Sequence, residues 1–115
     1  MTGWFLGQRP VPPMTVEQVS VAAAATRPTC GGTADIVGVV RTDGRAGTLV
    51  YRWVRSDGST SGTLRETVPR GQRETRLHLL WTFHGRGSHE ARAELVIDAP
   101  TGTLPAAVEF TYSCP

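Results

Sequence analysis

Apolar and polar residues alternate in short bursts along this chain. In "TADIVGVVRT", Ala34, Ile36, Gly38 and Val40 fall on one side of an extended run. In "TLVYRWVR", Leu49, Tyr51 and Trp53 share one side and Val50, Arg52 and Val54 the other. Successive side chains of a strand point to opposite faces, so each such run offers one face to a core. Leu77, Leu79, Trp81 and Phe83 line a further run, then Leu95 and Ile97, then Val108, Phe110 and Tyr112. Val19, Val21 and Ala23 repeat the pattern more weakly; "VAAAAT" there also suits a helix, but its shortness and the Pro28 that follows favour a strand.

Turn sequences punctuate these runs about every ten residues: "CGGT", "TDGRAG", "SDGSTSG", "PRGQ", "HGRG" and "APTGTLP". That spacing predicts an all-β sandwich or barrel. The expected strands cover roughly 16–24, 33–41, 48–55, 63–68, 74–83, 89–98 and 106–114. Asp57-Gly58 ends the third strand, because glycine supplies positive φ and aspartate bonds the local backbone. Arg41-Thr42-Asp43-Gly44 ends the second strand with the same chemistry. In this register Tyr51 and Trp53 point inward, while Arg52 and Arg55 are expected in solvent.

Composition agrees with a turn-rich fold. The 115 residues suffice for one domain, and 13 glycines with 8 prolines favour frequent turns over long helices. "MTGWFLGQRPVPPM" has too short an apolar core for a signal peptide and ends as a stiff extended linker. The expected division is therefore a tail over 1–14 and a sandwich over 15–115. No run of about 18 apolar residues is present, so this segment is not expected to enter a membrane. The formal charge of +2 is too small to argue for nucleic acid. All 12 basic residues are arginine, and the chain lacks asparagine, so it carries no N-glycosylation acceptor.

The two cysteines, Cys30 and Cys114, have the parity of inward residues on their strands. Their even count, shared parity and terminal placement predict a disulfide between the start of the second strand and the end of the last. Two buried free thiols are the alternative. A bridge requires an oxidising compartment, which places the domain outside the cell or at its surface.

The order Cys, Trp, Cys in a short all-β chain suggests an immunoglobulin-like sandwich. More fully, "TADIVGVVRTDG", "GTLVYRWVRSDG", "WTFHG" and "AVEFTYSC" resemble the Ig-like modules of exported or membrane-anchored bacterial proteins. The resemblance covers about residues 15–115 and implies a single Ig-like Greek-key sandwich of about seven antiparallel strands. It rests on scaffold positions and carries over no catalytic residue. "YSC" mimics the tyrosine-corner pattern, but no further strand follows Cys114 here, and the gap from Cys30 to Trp53 is longer than antibody-type domains have. The expected bridge therefore anchors strand ends.

Candidate chemistry is sparse. His84 and His89 flank a glycine-bearing hairpin, but that spacing fixes no ligand geometry, so no metal or other cofactor is expected. His78 faces outward. Glu90 and Glu94 lie on the face opposite Leu95, where solvation explains them. No nucleophile elbow, Cys-His pair or phosphate-cradling loop is present, and no catalysis is expected. Arg52 and Arg76, joined by Arg41, Arg65 and Arg92, would form a polyanion-binding face if they clustered; a solvated face balanced by the ten acids is the plainer reading. Trp4 and Phe5, outside the strands, suit a partner contact or a flap over the sandwich.

These features predict a non-catalytic extracellular module, a spacer or protein-interaction domain of a larger exported or membrane-anchored protein. Its partner would be another protein or a cell-surface polymer. The alternatives are a carbohydrate- or cell-wall-polymer-binding module and the ligand-sensing ectodomain of a receptor-type serine/threonine kinase. Tyr51, Trp53, Trp81, Phe110 and Tyr112 are its expected core aromatics.

Overall fold

The period-two runs become seven strands. In the computed structural model, which describes residues 14–23, 30–100 and 105–114, they are β1 (Val16–Ala23), β2 (Thr33–Thr42), β3 (Gly47–Arg55), β4 (Leu64–Val68), β5 (Glu74–Thr82), β6 (Gly87–Ala99) and β7 (Ala106–Cys114). Trp4 and Phe5, with the rest of the expected tail up to residue 13, lie outside the described residues. Among the described residues no helix is long and apolar enough to cross a membrane.

All pairings are antiparallel. β1–β2–β5 form one sheet and β4–β3–β6–β7 the other. The chain crosses between sheets after β2, β4 and β5, so β5 returns to lie beside β2 in Greek-key fashion. Register follows the apolar rows: Ala34, Ile36 and Gly38 pair with Trp81, Leu79 and Leu77. A one-residue slip would turn that whole row to water, so burial fixes the register.

The inward rows meet in one core. Trp53, Leu49, Ile36, Val40, Leu95, Ile97 and Tyr112 are fully enclosed. Gly38 sits opposite Trp53, and the absence of a side chain there lets the indole approach the β2 backbone. The core extends to Met14, which is buried and lies against Gly47. Met14, the last residue of the expected tail, thus supplies apolar volume where β3 opens with a glycine.

The Asp-Gly turns work as their residue types require. Gly44 and Gly58 have φ of 87° and 90°, and each preceding aspartate accepts a backbone N–H two residues on, from Arg45 at 3.1 Å and Ser59 at 2.8 Å. β6 starts at Gly87, two residues before the expected position, because Gly87 and Ser88 continue the ladder against Cys114 and Ser113.

Cys30 and Cys114 lie at disulfide distance, with Cα atoms 4.9 Å apart. Cys30 precedes β2 in the three-stranded sheet and Cys114 ends β7 in the other, so the link joins the two sheets at one end. Cys114 is buried but Cys30 is exposed. Parity fails for Cys30 because Gly31, at φ 68°, turns the chain before the strand begins.

Candidate functional site

The two partners of β6 end at different places. β3 pairs with β6 from Ala99 back to Ala93, whereas β7 follows it to Gly87. Ser56 prolongs the β3 side by one step: its N–H donates to the Arg92 carbonyl and its Oγ accepts from the Arg92 N–H, both at 2.9 Å. The chain then reverses through Asp57-Gly58, where Gly58 N–H bonds the Arg55 carbonyl at 3.0 Å. Beyond Ser56, residues 87–91 of β6 therefore form an overhang that, among the described residues, pairs with β7 alone.

Ladder alternation sets where its backbone points. Arg92 directs its N–H and C=O towards Ser56, so Glu90 and Ser88, two and four residues earlier, direct theirs the same way, past the end of β3. Two clefts flank this edge. The first, of about 370 Å³, is floored by Trp81 and Phe83 and walled by Asp57, His84, His89 and Glu90. The second, of about 400 Å³, lies against Arg92, Glu109, Phe110 and Thr111. Both share Ser56, Glu90 and Ala91.

The floor is rigid. Trp81 stacks on Phe83 at 4.8 Å, Phe83 on Tyr112 at 4.9 Å, and Tyr112 on His89 at 6.0 Å. Phe110 meets both Trp81 and Phe83 edge-on. The Tyr112 hydroxyl donates to the Gly85 carbonyl at 2.8 Å, tying the last strand to the β5–β6 turn. A tyrosine corner bonds the backbone a few residues upstream; this contact spans 27 residues.

Arg55 departs from its expected place in solvent. It shares parity with Tyr51 and Trp53, and its guanidinium lies 5.9 Å from the Trp81 ring while Nη1 donates to Ser59 Oγ at 2.9 Å. A long stem and a planar charged head let arginine end an inward row without losing all hydration. Asp57 accepts from the Ser59 hydroxyl at 2.6 Å and from its N–H, and these two bonds hold its carboxyl below the usual carboxylate range. Tyr51 is raised above the usual phenol value, by burial first and then by the Glu66 charge.

The other candidate residues lie elsewhere. Tyr51 and Trp53 are buried in the mid-core, and Trp81, Phe110 and Tyr112 line the end described above. Arg52 and Arg76 sit on opposite outer faces of the sandwich, so the candidate polyanion face does not form. Arg52 pairs with Asp98 at 3.3 Å, Arg41 and Arg76 each with Glu74 at 3.7 Å, and Arg92 with Glu94 and Glu109. His78 pairs with Asp35 at 3.1 Å on the outer face of the three-stranded sheet. Among the described residues no three His, Cys, Asp or Glu side chains gather closely enough to hold a metal.

The fold is a two-sheet Ig-like β-sandwich of antiparallel strands. Solved structures share that architecture, among them two of a CARDB domain. The crystal structure of the CARDB domain of a Pyrococcus furiosus protein, in complex with di-metal ions, is 16% identical with a TM-score of 0.61, over 88% of each chain. The solution NMR structure of that CARDB domain is 14% identical with a TM-score of 0.64, over 90% of this chain and 98% of the other. At such identities the likeness shows the fold alone. No protein-family model matches the chain. No curated protein matches it either.

Proposed function

We propose that this domain is a non-catalytic extracellular module, serving as a spacer or protein-interaction unit within a larger exported or membrane-anchored protein. The observation that carries the reading is the Cys30–Cys114 pair, which closes an 84-residue span between the two sheets. A link of that span is maintained in oxidising compartments. The sandwich likeness to CARDB domains supports a modular role. Of the polar side chains around the clefts, Asp57 is engaged in a turn and Arg92 and Glu109 in an ion pair.

The carbohydrate-binding reading calls for aromatic rings exposed as a platform. Trp81, Phe110 and Tyr112 are instead packed into the core, which favours the interaction reading.

The oxidation state in the native cell tests the proposal. Protein taken from its host under acid quench should resist maleimide–polyethylene glycol, then accept two labels after reduction. Two thiols free without reductant would sink the extracellular assignment.

A further inference from the structure

We infer that the overhanging edge of β6 receives an extended segment of a partner protein, which pairs with Ser88 and Glu90 and continues the line of β3. The inference rests on the reading of the domain as an interaction module and names its partner class: a peptide strand alternating apolar and basic residues.

Three observations converge on this occupant. The N–H and C=O groups of Ser88 and Glu90 point away from β7, and no described residue bonds those of Glu90. Unpaired donors and acceptors at every second residue are the pattern that an added strand satisfies. The overhang spans about 17 Å at roughly 3.3 Å per residue, enough for a five-residue strand.

The clefts lie on either face of that edge and share Ser56, Glu90 and Ala91. Side chains of an added strand point alternately to the two faces, so one row enters the Trp81–Phe83 cleft and the other enters the cleft beside Glu109. The aromatic floor of the first suits apolar side chains.

Charge selects the second row. Arg92 already lies 3.5 Å from Glu94 and 3.7 Å from Glu109, while Glu90 has no ion-pair partner among the described residues. Two carboxylates thus share one engaged guanidinium, and an incoming arginine or lysine offsets the excess.

A phage-displayed library of random octapeptides, selected against the intact chain, tests this. Selected peptides should show apolar and basic residues at alternate positions. As synthetic peptides they should shift the amide resonances of Ser56, Ser88 and Glu90 and slow amide exchange at Glu90. N-methylation of their edge-facing amides should abolish binding, and Glu90→Arg, at an exposed position, should weaken it about tenfold or more. Recovery of no peptide above background would overturn the inference, as would winners without the alternation or winners indifferent to N-methylation. Winners that instead shift Val37, Val39 and Leu80, on the outer face of the other sheet, would overturn the edge assignment while leaving the interaction-module reading standing. Free thiols in the native cell would do the reverse, removing the extracellular assignment while leaving peptide binding intact.

Discussion

The indole of Trp53 rests on the bare backbone of Gly38: a Cβ there would stand 3.2 Å from Trp53 Cη2 and 2.6 Å from Leu95 Cδ2. The two residues face each other from different sheets, so the contact sets how closely the sheets approach. Both neighbouring side chains are fully buried, so either must shift within the core to admit a methyl. Gly38→Ala should therefore destabilise by about 1–3 kcal/mol in urea unfolding. Trp53→Ala should cost about 3–5 kcal/mol through the cavity it leaves. Gly38→Ala should cost less when combined with Leu95→Ala, since the truncation makes room for the added methyl. Strict additivity in that double mutant would show that the clash is relieved elsewhere.

Reducing the Cys30–Cys114 link should lower the unfolding midpoint while preserving the native spectrum. The link constrains 84 residues of the denatured chain, an effect of up to about 4–5 kcal/mol in the chain-entropy account. Cys30→Ser with Cys114→Ser should match the reduced protein. A midpoint unmoved by reductant would mean that the denatured chain is compact without the link.

Acid should weaken the β3–β4 turn before it unfolds the domain. The Asp57 carboxyl is held below its ordinary range in the fold by the Ser59 bonds. The unfolded chain therefore takes up a proton there first as pH falls. The stabilisation is complete above the ordinary carboxylate value of about 4 and disappears as pH drops through the lower folded value. An NMR titration should place Asp57 below the ordinary carboxylate value of about 4. Asp57→Asn should flatten the acid limb of stability, and an unchanged limb would remove Asp57 as its source.

Arg55 and Arg52 stand three apart yet should respond differently to truncation. Arg55→Ala loses the contact with Trp81 and the bond to Ser59, and should cost about 1–2 kcal/mol. Arg52→Ala breaks an exposed pair with Asp98 and should change stability by less than about 1 kcal/mol. Equal losses, read by thermal or urea unfolding, would refute the distinction.

The strands were legible because Leu49, Tyr51 and Trp53, like Leu77, Leu79 and Trp81, alternate with polar neighbours, and half-buried sheets require that alternation. Arg55 follows its inward parity, against the preference of its charge for solvent. Strand parity does not reach Cys30, because the backbone turns at Gly31. The edge at Ser88 and Glu90 was not visible at all. It arises from β6 outlasting β3, and that depends on which strands pair.

The Cys30–Cys114 link also decides how the domain would carry tension. A pull between Met14 and Cys114 runs along β1 to Cys30 and then crosses the sulfur atoms, bypassing the 84-residue span. Fully drawn out, that span would add roughly 280–300 Å of length, at about 3.3–3.6 Å per residue. The link withholds that length at any load the covalent chain survives. Among the described strands only β1 lies on the loaded path, and of these it is hydrogen-bonded to β2 alone. Strung in series with other domains, the sandwich would behave as a nearly inextensible link whose give is confined to one peelable strand.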